Sequence, residues 1–540
     1  MTSSNAISVI DLFAGPGGLG EGFSAYKARG RGNPFRISMS VEMERHAHRT
    51  LRLRSFYRHY STNNKRIPES YYRVLRGEID DTALGSGSCN EAWRAAEYEA
   101  IHATLGTNDG DAIVSDRIHS EKLHKSSVPV VLLGGPPCQA YSLVGRARNR
   151  GIAGYRAEDD GRHILYRQYL KAITTTWPVA FIMENVKGIL SSRLNGEKIF
   201  PQILEDLREP LRSMGYQSGS KKSNRYRLQP VVMEDPGSSR MLLDADDPRK
   251  YLVRCEEHGI PQKRHRVFVV GIREDIDCSI EPLRPQNERT SLWSVIGDLP
   301  PQLSKVSTRF SKGNKKCSDD VHVAAKSFMT DLALKQIRRD CGEDIERACK
   351  KYLHTKSNSI HSNTEDFIEA DLQITNSGSE LSKWLIDKDL NGVCNHVAKS
   401  HMPSDLARYL FASVYAKLRD RSPNLQDYPT RLLPKHANAR TSSGEAPIFN
   451  DRFRVQLSGE PATTVTSHLA KDGHYFIHPD PQQIRSLTVR EAARIQTFPD
   501  NYYFCGPRTS QYQQVGNAVP PYFALKIAKV LYKALAEAGI

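Results

Sequence analysis

Between residues 7 and 300, short apolar runs rich in β-branched residues alternate with longer amphipathic stretches. This alternation narrows the fold more than any other feature. Parallel strands need long crossovers, and helices supply them on both faces of a sheet. The runs 8–13, 35–41, 128–133, 179–183 and 267–272 read as the strands of such an α/β domain. From about 300 to 450, Ser, Asn, Lys, Asp and Pro become frequent, and basic clusters such as Lys312 to Lys316 interrupt the periodicity, as in a second domain with long loops. The α/β texture returns near Arg485, with a helical segment over 488–496 and a final amphipathic helix over 522–536. The stretch 55–127 is far longer than a βα connection needs and reads as a surface insertion, with a helix over 91–105 capped by Asn90.

The 540 residues exceed one ordinary core. A mean hydropathy of −0.53 leaves no room for a membrane span. The N-terminus lacks a basic leader region, and Gly15, Gly17 and Gly18 break its apolar run, so a cytoplasmic protein is expected. The formal charge of +15 suits a polyanionic partner and equally a solvated basic surface. Nine scattered cysteines without a CxxC pair suggest neither a disulfide framework nor a zinc site, and no metal is expected.

Four segments carry chemistry. The turn from Asp11 to Gly20, Asp-Leu-Phe-Ala-Gly-Pro-Gly-Gly-Leu-Gly, follows a strand and precedes a helix, and Glu42 closes the next strand. Such a pair suits an adenosine-containing cofactor whose ribose hydroxyls donate to the acid; a tight structural turn is the other reading, and a dinucleotide fits as well. Cys138, in Gly-Gly-Pro-Pro-Cys-Gln, lies just beyond the carboxyl end of an apolar strand. A lone cysteine is more often an inert core residue, but this polar, proline-stiffened setting argues against burial, and Gln139 to Arg150 reads as a basic loop. Glu184 and Asn185 end the next apolar strand on the same edge, so parallel neighbours would bring Cys138 and Glu184 together. Gln262, Arg264 and Arg266 alternate along a strand start, as a ligand-facing row or as a basic edge strand.

In this order the segments resemble the cytosine-5 DNA methyltransferases, of the prokaryotic restriction-modification type. The matching residues are Asp-Leu-Phe-Ala-Gly-Pro-Gly-Gly at 11–18, Gly-Pro-Pro-Cys-Gln at 135–139, Glu-Asn-Val at 184–186, Gln-x-Arg-x-Arg at 262–266, the block Arg485 to Pro499, and Gly-Asn-Ala-Val-Pro-Pro at 516–521; Asp160-x-Arg162-x-x-Leu165 fits a looser motif. The resemblance implies an α/β, Rossmann-like, mostly parallel sheet of the S-adenosylmethionine-dependent methyltransferases over 1–280 and 481–540. A smaller target-recognition domain is inserted at 281–480. It implies Cys138 as nucleophile toward carbon 6 of a flipped cytosine, Glu184 as the acid at N3, and Arg264 and Arg266 as partners of the base carbonyl and reacting groups. S-adenosylmethionine contacts carry over onto Phe13, Gly15, Gly17, Leu19, Glu42, Pro136, Leu165, Asn517 and Val519, with Asp111 for the adenine amino group. Gln139, Ser142, Asn185 and Gln262 carry over as substrate contacts. Double-stranded DNA, a monomeric enzyme and a restriction endonuclease encoded nearby complete the expectation.

An amino-methylating enzyme needs no cysteine, because an exocyclic nitrogen is already nucleophilic. A tRNA cytosine-5 methyltransferase would share the motifs but have a smaller recognition domain. A catalytically silent DNA-binding homologue predicts erosion of Cys138, Glu184 or the arginines, all intact here. A nicotinamide dehydrogenase leaves Cys138 and Glu184 unexplained.

Overall fold

The computed structural model describes residues 6–30, 32–125, 127–137, 162–194, 196–216, 224–233, 247–307, 320–354, 365–372, 379–434 and 450–540. Cys138, Gln139, Ser142, Asp160 and the basic stretch 312–316 lie outside them. The chain divides into two compact units, one of Met1–Tyr71, Asp80–Arg289 and Ala518–Ile540, the other of Tyr72–Ile79 and Thr290–Asn517.

The first unit is built on eight strands: β1 (Ile7–Leu12), β2 (Phe35–Glu42), β3 (Ala100–His102), β4 (Val130–Gly134), β5 (Ala180–Val186), β6 (Tyr226–Pro230), β7 (Leu252–Arg254) and β8 (His265–Arg273). Five correspond to the apolar runs of the sequence. The order is β3-β2-β1-β4-β5-β8-β6, with β7 pairing β8. From β3 through β5 all pairs are parallel, whereas β8 is antiparallel to β5, β6 and β7. The expected Rossmann-like, mostly parallel α/β sheet is therefore present. Between β1 and β2 on one side and β1 and β4 on the other the winding reverses, and ligands bind such sheets outside the carboxyl ends at that switch.

The sheet's core is mostly apolar, with Ile10, Leu12, Val41, Leu132, Phe181, Met183 and Val269 all nearly inaccessible. Strands buried on both faces read as continuous apolar runs, which is why β1, β4 and β5 were legible. The stretch 55–127 is more than a surface insertion, because it contributes β3 to the sheet. Its helix α3 (Asn90–Glu99) stops before β3, and Cys89 rather than Asn90 occupies the N-cap, with Asn90 Nδ2 donating to the Gly85 carbonyl at 2.5 Å. Residues 100–102 give up the helical pattern for pairing with Ser40, Val41 and Glu42. A further helix, α4 (Asn108–Ser120), follows β3.

Helix α1 (Gly18–Ala25) leaves the glycine turn and is crossed by the C-terminal helix (Pro521–Glu537), which Pro521 starts at its first position. Gly18 and Gly22, one turn apart, form the crossing. A Cβ on Gly18 would lie 2.2 Å from the Val519 carbonyl oxygen, and one on Gly22 2.4 Å from the Leu525 amide nitrogen and 2.5 Å from the Pro521 carbonyl oxygen. The last residues of the chain are thus fitted against the first turn of the domain. Helix α2 (Arg45–Ser61) is tied to α1 by Arg54, whose guanidinium makes paired bonds of 2.9 and 2.6 Å to the buried Glu21 carboxylate.

The second unit packs helices Val321–Phe328, Asp331–Cys341, Glu343–His354 and Pro403–Arg419 around Ile337, Leu406, Leu410, Phe411 and Ile477. The block 485–499 lies in it, and its arginines are inside. Arg485 grips Glu491 through two bonds of 2.7 Å, and Arg494 grips Asp500 through two of 2.8 Å. Arg490 donates to the carbonyls of Cys394, Pro499 and Tyr502. Thr488 and Glu491 form a capping box for helix Val489–Ile495. Such charges are tolerated inside only when fully partnered, so this block is scaffold.

Gly22→Ala tests the close approach. Alanine improves helix propensity by about 1 kcal/mol, but forcing a methyl against backbone costs about 1–3 kcal/mol. The denaturation midpoint of the first unit should fall; a raised midpoint would contradict the fit.

Candidate active site

Beyond β1 the chain turns sharply. Phe13 adopts φ +57°, the Ala14 amide donates to the Val41 carbonyl at 3.0 Å, and the Gly17 amide closes onto the Ala14 carbonyl at 2.9 Å. Gly17, at φ +99°, is the N-cap of α1, in a region that side chains rarely enter. The Gly15 amide donates to Glu42 Oε2 at 2.8 Å, and Oε1 of the same carboxylate accepts from the Glu44 amide at 2.7 Å. The glycine turn and the acid at the end of β2 are therefore one hydrogen-bonded unit. A Cβ on Gly15 would meet nothing within 4 Å among the described residues.

Asp11 underlies the turn. Its Oδ2 accepts from the Gly20 amide at 3.2 Å, while Oδ1 is buried without a hydrogen-bond partner among the described residues. Burial pushes Asp11 up to about 7, against the Gly20 bond and the charge of Arg58 and with the charges of Glu42 and Glu99. A proton on this acid removes the cost of burying the charge.

On the other side of β1, pairing of Leu133 with Ile182 and Gly134 with Met183 brings Gly135 beside Glu184. A Cβ on Gly135 would lie 3.1 Å from Glu184 Oε2, and Asn185 Nδ2 donates to the Pro136 carbonyl at 3.1 Å. From the third direction β8 runs antiparallel, with Phe268 opposite Glu184 and Arg266 opposite Val186. Arg266 Nε reaches Glu184 Oε1 at 3.1 Å. Arg264 is 1 % exposed and donates through Nη2 to the Ala518 carbonyl at 2.8 Å, which rules out a solvent-facing basic edge.

Glu184 is raised above the usual glutamate range. Burial is the largest influence, and the positive charges of Arg266 and Arg264 oppose it without cancelling it. Burial, helped by the charge of Arg266, pulls Arg264 down to about 9, still protonated near neutrality. Cys255, whose amide donates to the Arg264 carbonyl at 3.0 Å, is pushed by burial up to about 12. That thiol is closed to nucleophilic chemistry.

The structure thus gathers Phe13, Gly15, Gly17, Leu19, Glu42, Pro136, Glu184, Asn185, Arg264 and Arg266 around the carboxyl edge of β2, β1, β4 and β5. Gln262 is buried just ahead of β8, Leu165 packs against the core from helix α5 (Arg162–Thr176), and Val519 meets Gly18. Asn517 ends helix Arg508–Asn517 in the second unit. Asp111 stands in the first turn of α4, where Oδ1 accepts from the Gly106 amide at 2.8 Å and Oδ2 meets Lys171 Nζ at 3.2 Å. Asp11 sits inside the glycine-turn motif, and nothing in the sequence marks its buried place beneath the turn.

The family described as C-5 cytosine-specific DNA methylase matches residues 87–223 and 248–533. The chain belongs to this family. It is 30% identical over 536 residues to the type II methyltransferase M.Bpa9945I of Bacillus paralicheniformis, covering 97% of this chain and 98% of that one. Identity is 25% to the type II methyltransferase M.AgeI of Thalassovita gelatinovora, covering 84% and 99% of the two chains. It is 24% to the DNA (cytosine-5-)-methyltransferase M.ApeKI of Aeropyrum pernix, covering 75% and 81%. The protein is a DNA cytosine-5 methyltransferase.

Asp11 gives the methyltransferase a pH signature. Its native state keeps a proton that the unfolded state releases near 3.8, so this group's contribution to stability is present below about pH 4 and is lost as pH rises to about 7. Asp11→Asn removes the titration. In denaturant titrations across that range, the variant should gain on the wild type as pH rises; a pH-independent difference would refute the protonated acid.

Proposed function

We propose that the methyltransferase transfers a methyl group from S-adenosylmethionine to carbon 5 of a cytosine flipped out of duplex DNA, through a covalent bond to Cys138. The observation that carries this reading is Glu184, a largely buried carboxyl whose pKa burial raises against two arginines, beside the strand end that leads into Cys138. The turn at Gly15 and Gly17, with Glu42 for the ribose hydroxyls, would hold the cofactor, together with Phe13, Leu19, Pro136, Leu165, Asn517 and Val519. When bound, S-adenosylmethionine supplies the electrophilic methyl group.

The thiolate of Cys138 adds to carbon 6, forming a carbon–sulfur bond, while Glu184 passes its proton to N3 and the ring electrons move to carbon 5. After carbon 5 is methylated, its proton goes to a base, the carbon–sulfur bond breaks, and N3 returns its proton to Glu184. Arg266 holds the Glu184 carboxyl at its Oε1 side and limits how far its pKa rises, so that the acid can both give and recover the proton. Arg264, Asn185 and Gln262 fix the surrounding edge, and Gln139 and Ser142 are substrate contacts from the segment after Cys138. Burial and a raised pKa set Cys255 aside as a nucleophile.

Residues 281–480 are assigned to target recognition, and the match to type II methyltransferases supports a modification enzyme paired with a restriction endonuclease; the enzyme is taken to act on cytoplasmic double-stranded DNA as a monomer. DNA containing 5-fluorocytosine in the target sequence has no carbon 5 proton to release, and should trap a denaturation-resistant adduct on the wild type when S-adenosylmethionine is present. Cys138→Ser should abolish it. An adduct that persisted in that variant would falsify the assignment.

A further inference from the structure

We propose that Lys305 and Arg508, backed by Lys399, form a clamp in the second unit for one backbone phosphate of duplex DNA. This rests on the proposed duplex substrate and adds a contact that holds the DNA without reading its sequence. The three cations converge on one stretch of chain. Strand Lys305–Val306 pairs in parallel with Ser400–His401, and the Lys305 amide donates to the Lys399 carbonyl at 3.3 Å. Arg508 Nη1 donates to the Ala398 carbonyl at 3.2 Å. Lys399 Nζ lies 4.1 Å from the centroid of the Tyr512 ring, and Tyr512 stands one turn after Arg508 on helix Arg508–Asn517.

No carboxylate answers these charges. Arg485 and Arg494 of the same unit each close on an acid, whereas Lys305, Lys399 and Arg508 form no ion pair among the described residues. The acids whose charge they feel are otherwise engaged. Asp366 Oδ2 accepts from the Tyr503 hydroxyl at 3.0 Å and from Asn395 Nδ2 at 3.2 Å, and Asp472 faces His474 Nε2 at 3.5 Å and Arg452 Nη2 at 4.0 Å. The cations also act on one another. Burial lowers Lys305 and the charge of Arg508 lowers it further; burial pulls Lys399 down to about 8, with Asp472 opposing and Arg508 adding to it. Arg508 opens its helix, and no acid stands in the first turn, so it occupies the end where the helix dipole disfavours a cation and favours an anion. Lys399 is 9 % exposed and donates to the carbonyls of Leu469 and Lys471, so it supplies charge from behind. Arg508 is exposed and Lys305 half-buried, and these two can touch a ligand. A guanidinium fork beside a compact ammonium suits a phosphate.

Fluorescence anisotropy of a labelled duplex oligonucleotide of arbitrary sequence, titrated with the full chain over a range of salt concentrations, tests this without turnover. The slope of log Kd against log salt counts the phosphates neutralised. Lys305→Gln combined with Arg508→Gln should flatten that slope by about 0.9, the share of one phosphate on B-form DNA, so that a loss negligible near 1 M salt grows to about eightfold near 0.1 M. Lys305→Gln alone, whose side chain bonds to no described residue, should flatten it by less. Lys305→Arg combined with Arg508→Lys, which keeps both charges, should retain the wild-type slope. Neutral variants with the wild-type slope, or a charge-retaining variant as flat as the neutral one, would overturn the clamp while leaving the duplex substrate standing. A wild type that binds tRNA in preference to the duplex would overturn the duplex substrate and this inference with it.

Discussion

The balance at Glu184 between burial and the guanidinium 3.1 Å away is the interaction on which the rest of the site depends. A carboxyl in a low-dielectric setting is costly as an anion, and an arginine in contact stabilises that anion; either alone would fix the group as a permanent acid or a permanent base. Here burial outweighs both arginines, and the acid stays above its ordinary range. Three strands create the setting: β5 delivers Glu184, β4 brings Gly135 against its Oε2, and β8 brings Arg266 opposite the next turn of the pleat. A shift of one residue in either register would turn the carboxyl to the other face of the sheet.

The same edge joins the glycine turn to the acid that ends β2. Glu42 is locked to the glycine turn by the Gly15 amide, so the carboxylate at the end of β2 and the backbone of the turn are set jointly. Helix α1, which begins at that turn, is fixed from behind by the Glu21–Arg54 pair and from the side by the C-terminal helix against Gly18 and Gly22. The arginines of 485–494 serve the second unit in a comparable way. Arg485 and Arg494 spend their charges on Glu491 and Asp500, Arg490 is taken up by backbone carbonyls, and none of the three is part of the basic surface.

Much of this was legible because the strands that carry chemistry are buried on both faces. Apolar runs ending in Gly-Gly-Pro-Pro-Cys and in Glu-Asn-Val announce both the strand and its carboxyl edge, and β1, β4 and β5 form where those runs lie. Strand β3 was not legible. Three residues at a sheet edge carry too little pattern, and the run from Ala100 to Leu105 continues the helical period of α3 until pairing with β2 decides otherwise. Strand β6 alternates Arg227 and Gln229 with Tyr226 and Leu228, and its pairing with β8 is a tertiary fact. The buried arginines of the second unit escaped for the opposite reason: a charged residue read alone suggests solvent, and only the folded chain shows Glu491 and Asp500 six residues onward closing on them. Cys138 and Glu184 could be brought to one edge in advance, because each stood just past or at the end of an apolar run, whereas the contact of Arg266 with Glu184 depends on the antiparallel pairing of β8 with β5.

Infrared difference spectroscopy of the methyltransferase against Glu184→Gln, followed through a pH titration, tests the central claim most directly. The account predicts a protonated carboxyl C=O band belonging to Glu184 that persists above the ordinary glutamate pKa of about 4.3 and weakens only at higher pH. A Glu184 band already converted to carboxylate at or below that value would contradict it, because Arg266 would then dominate over burial and the site would hold no acid for N3.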